Sequence, residues 1–196
     1  GLDLLERRLA DLLDEYGLDD LDAFTAEILG RCERAMRAAI RALPDGVYTH
    51  TAISDGLAQP IKLEMKMTVN GDAIEADFAG SAPQVKGAIN ATFSFVKSAT
   101  YLAIRCALDA EVPNNAGIYR CITVTAPAGS IFNPRMPAAV AARALTGYRV
   151  VDTVLGALAQ IAPGKLMAAG EGGNTVVAIG GYHGKTLGAL ATTGRE

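Results

Sequence analysis

The stretch from residue 77 to residue 92 reads DFAGSAPQVKGAINAT and lies between two segments of different periodicity. Apolar residues alternate before it, as in a β-hairpin, and recur at helical spacing after it. The stretch holds an acid (Asp77), a hydroxyl (Ser81), a lysine (Lys86) and an amide (Asn90), together with two glycines. The sequence therefore predicts a polar loop that joins a hairpin to a helix.

The hairpin before this loop is predicted by strict alternation over residues 61–69, with apolar side chains on one face and charged or hydroxyl side chains on the other. Asn70 and Gly71 are typical of a two-residue type I′ turn. That turn places Glu64 opposite Asp77, and like charges at this distance destabilise a sheet. Either both carboxylates are exposed and screened, or Asp77 turns towards a site. In both cases we expect Asp77 to cap the backbone of the loop that follows.

Residues 1–45 predict two amphipathic helices that form an αα-hairpin, with Asp19 as the cap of the second helix. Their apolar stripes are Leu2, Leu5, Leu9, Leu12, Leu13 and Tyr16 in the first helix, and Leu21, Phe24, Ile28, Cys32, Met36, Ile40 and Leu43 in the second.

Residues 46–196 predict an α+β core. Two further helices are expected: one runs to about Leu108 and is capped by Asn90 or Thr92, and the other runs from about Thr146 to Ile161. Strands are expected at 47–55, 118–126, 176–179 and 186–191, besides the hairpin. The predicted fold class is α+β, in which antiparallel β-hairpins pack against helices and an αα-hairpin precedes them.

The composition excludes some partners. The chain has 196 residues and a net charge of −3, so neither nucleic acid nor an anionic membrane is expected to bind it. It has no apolar run long enough for a transmembrane helix. Its three cysteines, an odd count without CxxC spacing, are expected to be reduced and buried in a cytoplasmic protein: Cys32, Cys106 and Cys121. Both ends are abrupt, which indicates a piece of a longer protein.

Two familiar types of site are not supported. Gly184-Lys185-Thr186 resembles the end of a phosphate-binding P-loop, but residue 179, where that motif needs a glycine, is Ile179. His50 and His183 have no second histidine or cysteine at ligand spacing, so a complete metal site is not expected within this chain.

Three polar loops remain as candidates, at 77–92, 113–117 and 133–143. The two asparagines of the second loop also suit a plain turn. The arginine of the third suits either an anion or an ion pair with Asp77 or Asp152. The residues expected to face a site or to order its loops are Asp77, Ser81, Asn90, Asn114, Asn115 and Arg143.

Four segments, in order, resemble the hydantoinase B/oxoprolinase family: 77–92, 112–117, 133–140 and 150–159. The resemblance implies a B-type subunit that works with an ATP-binding hydantoinase A-type partner to open cyclic amides such as 5-oxoproline or hydantoins. It also implies a cytoplasmic, heteromeric complex. Any divalent metal would be held by motifs upstream of Gly1, and residues 169–174 depart from the family pattern.

Two other functions stay open. Related subunits occur in acetone and acetophenone carboxylases, so a carboxylase subunit is one alternative. The other is a non-catalytic scaffold whose loops only contact a partner. Convergence of the three loops on one cleft would favour a site, and dispersal over the surface would favour a scaffold.

Overall fold

A computed structural model describes residues 1–56, 58–108, 111–166, 168–170, 177–183 and 186–192. The helices are α1 (Leu2–Tyr16), α2 (Asp22–Arg41), α3 (Phe93–Leu108) and α4 (Arg143–Leu158). The strands are β1 (Gly46–Ser54), β2 (Ile61–Asn70), β3 (Ala73–Asp77), β4 (Ile122–Thr125), β5 (Val177–His183) and β6 (Thr186–Thr192). Short 3-10 turns occupy Ala116–Tyr119 and Pro163–Lys165. This α+β architecture confirms the predicted class.

One four-stranded sheet carries the core, in the order β1-β2-β3-β4, and β5 and β6 pair separately. The inward face of β2 is the apolar set that alternation predicted: Ile61, Leu63, Met65, Met67 and Val69, all buried. β1 and β3 run antiparallel to β2, whereas β4 runs parallel to β3. The prediction of antiparallel pairing alone was therefore incomplete, because α3 returns the chain to the end of the sheet at which β3 began.

The predicted hairpin register was wrong by two residues. Asn70 pairs with Ala73, so Gly71 and Asp72 form the turn, and Lys66 instead of Glu64 lies opposite Asp77. Tertiary contacts select this turn. Gly71, at a φ of 59°, donates its N–H to Asp45 at 2.8 Å. A shift of two residues keeps every side chain on its predicted face.

A second set of contacts at this turn comes from α2. The Asp72 carboxylate pairs with Arg37 at 2.8 Å and with Arg41 at 2.7 Å. These ion pairs join the turn to the helix that packs beside it, so the turn is specified by residues some thirty positions earlier in the chain.

The ends of several elements differ from expectation. Asp20, not Asp19, accepts the N–H of Asp22 where α2 begins, at 2.9 Å. α4 begins at Arg143, three residues earlier than predicted. β4 is shorter than predicted because the residues before it form a 3-10 turn. Cys32 and Cys121 are buried and free, as expected, but Cys106 is exposed. In the part of the chain that the structure describes, no helix is long and apolar enough to cross a membrane.

α1 and α2 follow each other as predicted, but they differ in burial. α2 buries Cys32, Met36 and Ile40 in the core. No residue of α1 is buried, and Leu2, Leu5 and Tyr16 are each more than three-fifths exposed. α1 therefore presents its leucine face to solvent.

The helical layer lies close to the sheet because α4 carries a glycine where it crosses β1. A Cβ atom at Gly156 would lie 2.6 Å from three atoms of the His50 ring. Such a distance is well inside van der Waals contact, so the helix can approach β1 only because residue 156 has no side chain.

We expect Gly156→Ala to lower the free energy of unfolding by about 1–3 kcal/mol through overpacking against His50. Denaturant unfolding of the purified chain measures this change. The matched control is Gly30→Ala in α2, where only the flexible end of Arg34 is near; there alanine should be neutral or stabilise by up to about 1 kcal/mol. Adding His50→Ala should recover most of the loss, and equal stability of Gly156→Ala and the parent would contradict the close contact.

Candidate functional site

Two of the three polar loops form a single layer. The β3–α3 loop (residues 78–92) and the β4–α4 loop (residues 126–142) exchange backbone hydrogen bonds along their length. The Ala82 carbonyl accepts the N–H of Ile131, and the Ala91 N–H donates to the Ile131 carbonyl, both at 2.9 Å. Beneath them Phe78 and Phe132 pack edge to face, with ring centres 5.1 Å apart, and both are fully buried. The loops are therefore fixed to each other and to the core.

Asn90 is the residue that fastens these loops. Its side chain is fully buried, and its Oδ1 accepts the N–H of Val85 at 2.8 Å. Its Nδ2 donates to the carbonyls of Val85, Gly87 and Ala139 at 2.8, 3.0 and 2.9 Å. Asn90 thus shapes the first loop and joins it to the second. It does not cap α3, which begins at Phe93 directly after Thr92.

A second amide makes a similar cross-link nearer the surface. Gln84 Oε1 accepts the N–H of Arg135 at 2.7 Å, and its Nε2 donates to the Arg135 carbonyl at 3.3 Å. At the start of α4, the Ala142 N–H donates to the Ala88 carbonyl at 2.9 Å. These contacts add to those that the two loops make through Ile131 and Asn90.

Asp77 and Ser81 order the first residues of the β3–α3 loop. Asp77 Oδ1 accepts the N–H of Ala79 at 3.0 Å, which confirms the predicted cap, and also the hydroxyl of Thr125 at 3.1 Å. Lys66 lies 3.7 Å from its other oxygen. The Ser81 hydroxyl accepts from the Glu64 N–H and donates to the Glu64 carbonyl, at 3.0 and 2.9 Å. Both side chains therefore continue the hydrogen bonding of the sheet into the loop.

The Glu64 side chain lies beneath this part of the loop. A Cβ atom at position 80 would fall 1.7 Å from the Glu64 carboxylate, so only Gly80 allows the contact. Hydrogen bonds from Lys62 and Thr51 hold the pKa of Glu64 below its usual range. This carboxylate is ionised and already paired.

Between the two loops lies a depression of about 300 Å³, the loop cavity, lined by Gln84, Val85, Lys86, Pro137, Ala138 and Ala139. A second depression of about 330 Å³ lies on the other side of the same loop, lined by Ala58, Gln59, Ile61, Val85, Lys86 and Gly87. Lys86 is exposed, and no described residue pairs with it. Lys86 is not among the site residues predicted from the sequence, although it is the only charged residue between Phe78 and Asn90.

Arg143 is exposed at the first position of α4. Its guanidinium donates to the Val140 carbonyl at 3.5 Å. The two predicted ion-pair partners are engaged elsewhere, Asp152 with Arg149 at 3.2 Å and Asp77 with Lys66. An ion pair of Arg143 with either acid was therefore a wrong expectation, whereas the anion alternative stays a prediction.

The third polar loop lies at the opposite end of α3. Asn115 Oδ1 accepts the N–H of Gly117 at 2.9 Å, and its Nδ2 donates to Cys32 Sγ in α2 at 3.1 Å. Asn114 accepts the hydroxyl of Tyr119. Since α3 has sixteen residues, it separates these asparagines from the other two loops by about 24 Å. The three loops do not converge on one cleft. The β3–α3 and β4–α4 loops contact each other, whereas the third loop contacts α2.

Metal ligands are not grouped in the part of the chain that the structure describes, where no cluster of three or more His, Cys, Asp or Glu side chains is suited to an ion. His50 packs against Gly156. Residues 171–176 of the glycine-rich stretch, residues 184–185 and the His183 side chain lie outside the described residues.

Comparison with known proteins gives concordant matches. A family model described as Hydantoinase B/oxoprolinase matches residues 1–195. A protein of Pseudomonas sp. (strain NS671) that is assigned as the B-type subunit of a D-/L-hydantoinase is 35% identical over 189 residues, covering 89% of this chain and 32% of that protein. The beta subunit of the Pseudomonas jessenii caprolactamase is 34% identical over 169 residues, covering 83% of this chain and 29% of that protein. The chain spans about a third of the length of these relatives.

Two solved structures share the fold. The crystal structure of the ATP-dependent caprolactamase from Pseudomonas jessenii superposes with a TM-score of 0.83 at 30% identity, over 97% of this chain and 34% of that one. The nucleotide-free structure of an acetone carboxylase superposes with a TM-score of 0.77 at 15% identity, over 94% of this chain and 27% of that one. The second likeness shows the fold alone.

We expect Asn90→Ala to lower the free energy of unfolding by about 3 kcal/mol or more, because it removes the buried side chain that binds one N–H and three carbonyls of the two loops. Chemical denaturation measures the loss, and hydrogen exchange should show faster exchange of the Val85 amide. The matched control is Asn133→Ala, which removes a single bond to the Ala126 carbonyl and should cost about 1 kcal/mol. Equal losses in the two variants would contradict the special position of Asn90.

Proposed function

Because this chain belongs to the hydantoinase B/oxoprolinase family, we propose that it forms part of the B-type subunit of an ATP-dependent hydrolase that opens cyclic amides. The observation that supports this most is the family match along residues 1–195, together with the superposition on an ATP-dependent caprolactamase. Hydantoins, 5-oxoproline and caprolactam are the substrate candidates, because relatives of this chain are named as a hydantoinase, a 5-oxoprolinase and a caprolactamase.

The chemistry explains why such a hydrolase needs ATP. A lactam carbonyl is a poor electrophile because the ring nitrogen donates its lone pair to it. Transfer of the terminal phosphoryl group of ATP to the carbonyl oxygen, which releases ADP, withdraws that electron density and prepares the carbon for attack by water. The ring C–N bond then breaks and phosphate leaves, so that an amine and a carboxylate remain. In this proposal a hydantoinase A-type partner binds ATP and phosphorylates the substrate, and the B-type subunit holds the activated species. The two subunits form a heteromeric oligomer in the cytoplasm.

The candidate residues then divide into two groups. Asp77, Ser81 and Asn90 hold the β3–α3 loop in shape, as their backbone hydrogen bonds indicate. Asn115 orders the connection beside α2 through a backbone hydrogen bond, and Asn114 accepts the hydroxyl of Tyr119 in the same connection, away from the loop cavity. Arg143, exposed at the loop layer, binds an anionic part of the substrate.

A divalent metal in this hydrolase would take its ligands from outside this chain. Asp77 and Glu64 adjoin the β3–α3 loop, and both already pair with lysines. Over the described residues, they do not form a ligand set with histidine or cysteine.

A carboxylase-type subunit is the alternative within the same fold, since an acetone carboxylase superposes well on this chain. The two reactions differ in their second substrate, bicarbonate or water, and in the organic substrate, a ketone or a cyclic amide. They are therefore separable by assay.

A structural role for part of the chain is favoured by α1. Its leucines recur at positions 2, 5, 9 and 12, the spacing of a helix–helix seam, yet none is buried. Beside the seam, Leu12, Tyr16, Leu18, Leu21 and Phe24 line an apolar depression of about 490 Å³. Since this chain spans about a third of its relatives, we infer that another helix of the same longer subunit covers this seam.

The first experiment combines the full-length subunit with its A-type partner and follows ring opening of 5-oxoproline, hydantoin and caprolactam with and without ATP. We expect turnover only with both subunits and ATP. Bicarbonate-dependent ATP turnover with a ketone, and none with the cyclic amides, would move the assignment to the carboxylase alternative.

The same assay tests Arg143. Arg143→Ala should raise KM or lower kcat/KM by about tenfold, as expected for loss of a charge-assisted hydrogen bond. Arg31→Ala, on α2 and away from the loop layer, is the control. Unchanged kinetics of Arg143→Ala with an intact fold would refute anion binding by this residue.

If another helix of the longer subunit covers the α1 seam, a substitution in the seam should destabilise the full-length subunit but not the 196-residue chain. Leu9→Gln keeps helix propensity, so in the 196-residue chain it should change the free energy of unfolding by less than about 0.5 kcal/mol. In the full-length subunit, where the leucine would be buried, the loss should be about 2 kcal/mol or more. Arg8→Gln, off the seam, should have no effect in either. A small effect of Leu9→Gln in both chains would contradict the inference.

A further inference from the structure

The loop layer concentrates positive charge. Its two loops, residues 78–92 and 126–142, contain no Asp or Glu, and their cations are Lys86 and Arg135, with Arg143 directly after the second loop. The whole chain, by contrast, carries a net charge of −3. Such separation of charge within a slightly acidic protein creates a local field that attracts anions.

Lys86 is the cation that reaches the cavities. It lines both the loop cavity and the depression on the other side of the loop. Two other lysines of the chain are neutralised, Lys62 by Glu64 at 3.1 Å and Lys66 by Asp77 at 3.7 Å. No such partner of Lys86 is found among the described residues, and no acid lines the loop cavity.

The backbone around Lys86 is held in place. Asn90 binds the N–H and carbonyl of Val85 on one side of it and the carbonyl of Gly87 on the other. Across the cavity, the same amide binds Ala139. An exposed lysine on a fixed backbone loses less conformational freedom on binding than one on a loose loop, which favours ligand binding at this position.

We propose that the loop cavity binds a small oxyanion, with Lys86 as its principal ligand. The inference rests on the proposed function, in which every species after activation carries a phosphoryl group or, once the ring has opened, a carboxylate. Both groups accept charge-assisted hydrogen bonds from an ammonium group. Lys86 would be a binding residue for the activated species and the product, beside Arg143 at the start of α4.

Binding is tested without turnover. Calorimetric titration of the full-length subunit with inorganic phosphate, and separately with acetate, is done at constant ionic strength against chloride. We expect Lys86→Gln to weaken binding of at least one of the two anions by about tenfold and Lys86→Arg to keep most of it. Lys97→Gln, a cation on α3 beside the same layer, should leave the affinity unchanged. If the Lys86→Gln variant loses affinity for phosphate, the site recognises the phosphoryl group of the activated species; if it loses affinity for acetate, the site recognises the carboxylate of the product.

A second readout uses the protein without substitutions. Acetylation of individual lysines, followed by mass spectrometry, should slow at Lys86 when phosphate or acetate replaces chloride, while Lys62 and Lys97 react at unchanged rates. Absence of binding, equal weakening in Lys86→Gln and Lys97→Gln, or uniform slowing at all lysines would overturn the proposal. Because neither readout needs catalysis, a protein that binds the anion but opens no ring would refute the proposed function and leave this site intact.

Discussion

The Asn90 side chain makes four hydrogen bonds with backbone groups of two loops, and it is completely removed from solvent. A buried amide is tolerated in a core only when its donors and acceptor are all satisfied. Here they are satisfied by backbone groups that would otherwise lack partners, so the amide and the loops stabilise each other. The positions of Lys86, of the loop cavity and of the start of α4 all follow from this arrangement.

Charge is distributed unevenly over the molecule. Around α2 and the hairpin turn, acids and arginines neutralise each other: Glu33 contacts Arg37 and Arg120, whose hydrogen bonds hold its pKa below the usual range, and Asp72 contacts Arg37 and Arg41. In the loop layer, by contrast, no acid among the described residues pairs with Lys86 or Arg143, since Asp77 and Asp152 are engaged with Lys66 and Arg149. The first region is a structural network, whereas the second has the electrostatics of a surface that receives an anion.

The two ends of α3 have different roles. Its N-terminal end carries the loop layer, and its C-terminal end leads to the connection that Asn115 fastens to Cys32 in α2. Both ends belong to segments that resemble the family, yet they are separated by about the length of the helix. Segments that resemble the family therefore lie both in the loop layer and in a connection that packs against α2, and only their positions in space distinguish the two.

The sequence alone determined the fold class, the helices, the buried face of β2 and the cap by Asp77, because periodicity and turn chemistry act between neighbouring residues. It also marked the 77–92 stretch as the one that organises the chain. The tertiary structure decided the hairpin register, through Asp45 and the arginines of α2, and the parallel pairing of β4. It also decided which loops meet. These features depend on contacts between residues tens of positions apart, which local patterns do not encode. For the same reason Lys86 gains significance only from the cavity that it lines, which no described acid shares.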